Sequence, residues 1–246
     1  MKIYKFGGAS IKNAERIRNM CDIIRLADDD LLVVVSAMGK TTNQLEEFTQ
    51  MLYPDALFED REYNQLYDQV VSTGELQSSR IVSAYLNHAG IPNHWMDATQ
   101  LIRTDSHFRE ANVDMIVSAQ LVRDYVEKHP AHVYVTQGFL GGTADGQRTT
   151  LGREGSDYSA AVFANLLDAH SVTLWKDVAG IYSADPRKVR EAQLLRHLSY
   201  DEAEALANAG AQVVHRKTFA PLKDKHIPLF VRPFLHPEEE GSVIVC

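Results

Sequence analysis

The stretch KIYKFGGAS, residues 2–10, passes from an apolar, β-forming run into a double glycine. A strand over Ile3–Phe6 that stops at Gly7-Gly8, followed by a helix beginning near Asn13, is the repeating unit of an α/β sheet. Ligands of open α/β sheets bind beyond the carboxyl ends of the strands, so this junction suits an anion, with Lys5 within reach. A Gly-Gly turn after a strand is also an ordinary tight turn, and these residues alone leave both readings open.

The same unit recurs along the chain. Strands are predicted over Leu31–Ser36, Val133–Phe139, Ser171–Trp175, Leu229–Arg232 and Val243–Val245. Several are apolar throughout rather than alternating, as expected for strands covered on both faces. Helical periodicity marks Ala14–Leu26, Gln44–Leu52, Gln77–Leu86, Val117–Glu127, Tyr158–Leu167 and Tyr200–Ala209. The alternation predicts an α/β fold with a mainly parallel sheet. The region from Asp55 to Asp114 reads as helix-rich, a lid or lobe beside that sheet.

Composition narrows the function. The chain has 246 residues and a formal charge of −8, without a basic stretch, which argues against a general nucleic-acid binder. An anionic substrate would need a locally positive site. Two cysteines without a C-x-x-C pair fit a reducing compartment. The first residues enter a strand at once and no apolar run approaches membrane-spanning length, so the expectation is a cytoplasmic, soluble protein.

Four further stretches could carry chemistry. VVVSAMGKTTN, residues 33–43, resembles a P-loop at Gly39-Lys40-Thr41, but the pattern needs glycine where Val34 stands, and the reading fails. A helix capped near Thr41 or Thr42 remains, with hydroxyls that either bind a ligand carboxylate or merely cap. STGELQSSR, residues 72–80, is read as placing Glu75 at a helix start, where it either gains from the macrodipole or holds a substrate ammonium. TLGREGSDYSAA, residues 150–161, is a second glycine-rich turn opening a helix, with Ser156 or Asp157 as N-cap. WKDVAGIYSADPR, residues 175–187, reads as a strand and turns that suit a nucleotide base and ribose, or a surface excursion. No histidine pairing suggests a metal site, GGTADG has the wrong spacing for a dinucleotide fold, and no G-x-S-x-G elbow occurs.

KFGGAS, VVVSAMGKTTN, STGEL, TLGREGSDYSAA, WKDVAGIYSADPR and GAQVVHRKT stand in the order found in aspartokinases, members of the amino acid kinase family, and the resemblance spans essentially the whole chain. It implies a three-layer αβα sandwich with a central, mostly parallel sheet. It also implies one catalytic domain over 1–246, with a substrate lobe roughly 1–140 and a nucleotide lobe roughly 141–246. The implied reaction moves the γ-phosphoryl group of MgATP to the β-carboxylate of L-aspartate, the first step toward lysine, threonine and methionine. By this resemblance Lys5 neutralises the transferring group, Gly7 and Gly8 supply amides beside it, and Asp157 orients Lys5. Ser36 and Thr42 would contact the β-carboxylate region, Glu75 the α-ammonium and Arg153 the α-carboxylate, with Ser156 also on the substrate. Lys176, Asp177, Tyr182, Arg187 and Gln212 would line the ATP side. A homodimer through the catalytic domain is compatible with the family, and no protein metal ligand is expected beyond the Mg²⁺ carried with ATP.

Three departures from the family stand out. Glu154 occupies a position where many relatives have Gly and others Asn, so a cradle with its acid turned outward is expected. Gln212 replaces a Lys that commonly approaches the nucleotide phosphates, and Lys176, Arg216 or Lys217 could compensate. The chain ends after the last catalytic-domain strand, without the ACT domains of typical aspartokinases. An alternative reading is a weak or inactive homologue that binds ligand or a partner.

Overall fold

The computed structural model describes residues 1–55, 60–153, 155–184, 186, 189–209 and 214–246. In chain order the elements are β1 (Lys2–Phe6), α1 (Ala14–Arg25), β2 (Leu31–Val35), α2 (Thr41–Leu52), α3 (Arg61–His88), β3 (His94–Met96) and α4 (Ala98–Leu101). There follow α5 (Met115–Lys128), β4 (Val133–Gln137), β5 (Leu140–Gly142), β6 (Arg148–Thr150), α6 (Gly155–Leu166) and β7 (Ser171–Lys176). The chain closes with β8 (Ile181–Tyr182), β9 (Leu194–Leu195), β10 (His197–Ser199), α7 (Tyr200–Asn208), α8 (Phe219–Asp224), β11 (Leu229–Pro233) and β12 (Ser242–Val245).

Among the described residues eight strands form one sheet in the order β10-β12-β11-β7-β1-β2-β4-β3. β12 runs antiparallel to β11, and every other pairing is parallel. The sequence LLVVV explains why β2 lies inside the sheet, covered on both faces: all five of its residues are buried. Its residues alternate between two cores. Leu32 and Val34 join Tyr67 and Val71 of α3, Val122 of α5 and Ala160–Ala164 of α6. Leu31, Val33 and Val35 join Ile17, Met20 and Ile24 of α1 and Val82 and Leu86 of α3. The result is the three-layer sandwich. Its mostly parallel sheet runs through both halves of the chain, and the β1–β7 pairing is the seam between them.

All six predicted strands lie in this sheet. β3 and β10 are additional, each of three residues, too short for a recognisable pattern. The predicted Val133–Phe139 strand ends at Gln137, and Phe139 turns away with φ of 70°. The region from Asp55 to Asp114 is not a separate lid among its described residues. α3 is built into both cores, and β3 forms an edge of the main sheet. No described helix is long and apolar enough to cross a membrane.

Phe163 of α6 is fully buried, whereas Leu26 after α1 is 76% exposed. Phe163→Ala should therefore cost about 3–5 kcal/mol in a urea unfolding titration. Leu26→Ala should change stability by no more than about 0.5 kcal/mol. Similar costs for the two would contradict the assignment of the core.

Candidate active site

The carboxyl ends of β1, β2 and β7 meet the start of α6. Lys5 leaves β1 on the same face as Ile3, whose side chain packs in the α6 core. The chain then turns through Gly7 into a short 3-10 helix, Gly8–Ile11, and Asn13 caps α1 by accepting a hydrogen bond from the Arg16 amide. Gly8 is required by close approach. A Cβ there would stand 2.5 Å from the Ala37 carbonyl oxygen and 2.7 Å from that of Gly39. The turns after β1 and β2 are further tied by the Gly39 amide, which donates to the Gly8 carbonyl at 3.0 Å.

Asp157 stands in the first turn of α6, 2% exposed. Its Oδ1 forms an ion pair with Lys5 Nζ at 2.8 Å, and its Oδ2 accepts a hydrogen bond from Lys176 Nζ at 2.6 Å. Burial alone would raise its pKa, but the ammonium groups of Lys176 and Lys5 outweigh it and hold the carboxyl well below the usual carboxylate range. α6 starts at Gly155, so Ser156 and Asp157 lie inside its first turn rather than before it as caps. Ser156 is buried there. Gly152, which precedes the helix, has φ of 91°, a conformation that glycine adopts without strain.

Glu75 faces the turn after β2. The expectation of a helix-start carboxylate is wrong: Glu75 lies in the middle of the 28-residue α3 and gains nothing from a terminus. The helix continues through Gly74 because α3 buries thirteen of its residues, which outweighs the roughly 1 kcal/mol cost of one glycine. Glu75 Oε1 accepts from the Ala37 amide at 3.2 Å and from Thr42 Oγ1 at 3.1 Å, while Oε2 is buried without a hydrogen-bond partner. Burial pushes its pKa up to about 7, against the Ala37 and Thr42 hydrogen bonds and the charge of Lys5. The hydroxyls expected to cap α2 do other work. Thr41 Oγ1 donates to the Met38 carbonyl, Thr42 donates to Glu75, and the N-cap position is Lys40, without a side-chain cap. Ser36 is held by its backbone, its amide on Phe6 and its carbonyl accepting from Ser78 Oγ at 2.7 Å.

The structure thus gathers Lys5, Asp157 and Lys176 in one ion-paired group, with Gly7 and Gly8 in the turn after β1 and Ser36, Thr42 and Glu75 about the turn after β2. Arg153 is exposed next to α6 and makes no ion pair among the described residues. Asp177 is turned toward α1, where it pairs with Arg16 at 2.9 Å, and Tyr182 sits on the β8–β9 hairpin. Neither shares a hydrogen bond with the Lys5–Asp157–Lys176 group among the described residues. Glu154, Arg187 and Gln212 lie outside the described residues.

One supporting residue was not anticipated. Asp68, fully buried in α3, accepts from the Arg109 amide and from both the amide and hydroxyl of Thr150, tying the loop before Arg153 to the helix. Burial raises its pKa to about 6 despite those three donors. A signal existed. Asn64, Asp68, Ser72, Glu75, Ser79 and Ser83 recur every three or four residues and are all buried, a polar stripe along one helix face.

Comparison with known proteins identifies the family and the fold. The profile of the amino acid kinase family matches residues 1–233, and the chain belongs to that family. It is 32% identical to the bifunctional aspartokinase/homoserine dehydrogenase 2 of Escherichia coli, across 99% of this chain but 35% of that protein. An aspartokinase of Chlamydia muridarum is 30% identical across 98% of this chain and 63% of its own. Escherichia coli aspartokinase III in complex with aspartate and ADP superimposes with a TM-score of 0.87 at 30% identity, covering all of this chain and 64% of that one. The chain therefore spans between about a third and just under two thirds of these relatives. Isopentenyl phosphate kinase, at 19% identity and a TM-score of 0.67, shares the fold.

The Glu75 geometry fixes a sign for stability against pH. Its pKa is raised above the unfolded value of about 4.5, so its contribution is fully present below that pH and is lost as pH rises through about 7. Glu75→Gln should flatten the fall in Tm across this window and make the ligand-free chain more stable than wild type at pH 8. A parallel pair of Tm–pH curves would contradict a buried carboxylate whose donors only partly offset its burial.

Proposed function

We propose that the chain is a cytoplasmic kinase that phosphorylates the β-carboxylate of L-aspartate from MgATP, giving 4-phospho-L-aspartate for lysine, threonine and methionine synthesis. The observation that supports this reading is the pair of buried charged groups at the carboxyl ends of β1, β2 and β7. In one, Lys5 and Lys176 meet on the Asp157 carboxylate; in the other, a buried oxygen of Glu75 has no hydrogen-bond partner. Aspartokinase III, which superimposes over the whole chain, is described with aspartate and ADP.

The acceptor carboxylate is ionised near neutral pH, so no general base is required. Catalysis rests on alignment and charge neutralisation. Lys5 meets the transferring phosphoryl group, Gly7 and Gly8 offer backbone amides, and Asp157 fixes the lysine. Glu75 receives the α-ammonium on its free oxygen, and Arg153 clamps the α-carboxylate with its planar fork. Ser36, Thr42 and Ser156 complete the acceptor side. Lys176, Asp177, Tyr182, Arg187 and Gln212 form the nucleotide side. The seam between the proposed substrate lobe, roughly 1–140, and nucleotide lobe, roughly 141–246, would then lie where the phosphoryl group crosses. Asp157 is taken by two ammonium groups and Asp177 by Arg16, so the donor set suits Mg²⁺ that arrives on nucleotide phosphates rather than one held in a carboxylate cage. Such an ion neutralises phosphate charge.

Trapping with hydroxylamine tests the reading directly. The chain with MgATP and L-aspartate should release ADP and form aspartyl hydroxamate, and Lys5→Ala should lose at least tenfold in kcat, about 1.4 kcal/mol. ADP release without hydroxamate would refute acyl-phosphate formation, and no turnover with aspartate would favour an inactive, ligand-binding homologue.

Glu75 also sets a pH dependence. An ammonium requires the ionised carboxylate, so kcat/KM for aspartate should fall about tenfold per pH unit below about 7. Glu75→Gln should raise the aspartate KM more than the ATP KM. Equal effects on both substrates would leave Glu75 a purely structural residue.

A further inference from the structure

We infer that Asp68 is a positioning residue for aspartate binding: through Thr150 and Arg109 it sets where the loop that carries Arg153 stands. This inference rests on the kinase reading above and names what places the proposed α-carboxylate clamp.

The local chemistry asks for a carboxylate. Asp68 Oδ2 accepts from two amides that belong to different loops, Arg109 at 3.0 Å and Thr150 at 2.9 Å. Oδ1 accepts from Thr150 Oγ1 at 2.7 Å. These donors converge on one fully buried side chain, and a group that only accepts satisfies them all. The two loops are also stitched to each other. The Ala111 amide donates to the Thr150 carbonyl at 2.9 Å, and Glu110 forms an antiparallel bridge with Leu151. Asp68 thus pins a seam, residues 109–111 against 150–151, onto the side of α3.

The seam is held in a shape that its residues do not favour. Arg109 has φ of 71°, in the left-handed region that a side chain with a Cβ disfavours. Such a conformation persists where the surroundings fix it, and it is concentrated at functional sites. The contacts that fix it include the Asp68 bond to the Arg109 amide and an ion pair with Glu46 of α2 at 3.6 Å. The guanidinium carbon also lies 4.1 Å from the centroid of the Tyr67 ring.

Position along the chain connects the seam to the site. After Thr150, the Leu151 amide donates to the Phe139 carbonyl at 2.9 Å, Gly152 turns with φ of 91°, and α6 begins at Gly155. Arg153 therefore stands on a short bridge between the pinned seam and the buried start of α6. That helix is packed into the core along its length, so Asp157 keeps its place without Asp68. Asp68 and Glu75 lie two turns apart on one face of α3, so one rigid helix sets both proposed contacts to the amino-acid head group. Loss of Asp68 would move the Arg153 contact against the Glu75 contact and leave the phosphoryl-transfer side in place.

The test is a double-mutant cycle between Asp68→Ala and Arg153→Ala, with Asp68→Asn as the conservative variant, read by steady-state kinetics and thermal melts. Asp68→Ala should raise the aspartate KM about tenfold, with kcat and the MgATP KM each within about threefold of wild type. In the Arg153→Ala background the same substitution should add no further rise. Asp68→Asn keeps an oxygen for the two amides and turns its NH₂ to the Thr150 hydroxyl, which can accept. Its aspartate KM should therefore return to within about threefold of wild type. Where Asp68→Ala fails to fold, Thr150→Val takes its place in the cycle, since it removes the hydroxyl donor and keeps both amide bonds. Its rise in aspartate KM, about threefold, must likewise vanish without Arg153. An aspartate KM that stays within about twofold of wild type overturns this inference alone. So does an equal rise with and without Arg153, or a loss shared by both KM values that follows Tm. Wild-type protein that releases no ADP with aspartate overturns the kinase reading and this inference together.

Discussion

The carboxyl ends of β1 and β7 are organised around the buried carboxylate of Asp157 and the two ammonium groups that meet on it. The ion pairs join elements far apart in sequence: the fourth residue of β1, the first turn of α6, and the end of β7. An ionised carboxylate removed from water is costly unless paired, so Asp157 can sit where it does only with lysine beside it. The constraint is mutual. Lys5 is also buried and needs a counter-ion, and the β1–β7 pairing must hold its register for both amines to reach one carboxylate. A one-residue slip of β7 would turn Lys176 to the opposite face and put Trp175 in its place.

Around that group the fold supplies rigidity through unremarkable means. Gly8 lets the turn after β1 press against the turn after β2, where any Cβ would strike the backbone. Asp68 anchors Thr150, so the loop leading to Arg153 starts from a fixed point on α3. The same helix presents Glu75 two turns further along, which makes α3 the common ruler for both sides of the proposed acceptor site.

Much of this was legible in the sequence, for reasons that also explain what was not. Apolar runs such as LLVVV announce strands buried on both faces, and glycine turns after them announce the ligand end of a parallel sheet. Lys5, Gly7, Gly8 and Asp157 are recognisable because their motifs are local. Three-residue strands such as β3 and β10 carry no period and are set by their neighbours. Glu75 was misplaced because Gly74 reads as a break, whereas packing carries the helix through it. The Lys176–Asp157 contact was invisible because it depends on strand register, which joins residues 19 apart through the sheet rather than along the chain.

Asp157 and Glu75, both acted on by the Lys5 charge, are shifted in opposite directions. Both are almost fully buried, and burial pushes both pKa values up. Two ammonium groups reverse the push at Asp157, so it stays charged and serves as a fixed anchor. Glu75 has only an amide, a hydroxyl and the more distant charge of Lys5, which do not reverse it, and it titrates near 7. A cation arriving at its free oxygen would supply what Lys5 and Lys176 supply at Asp157, converting a destabilised carboxyl into a paired carboxylate. Binding of an ammonium would then relieve a cost that folding left in place, so the affinity gained includes the unfavourable burial that the empty site had carried. An acid of the same length without the ammonium would offer no such relief, and under the proposed function discrimination for an α-amino acid would follow from the burial of one side chain.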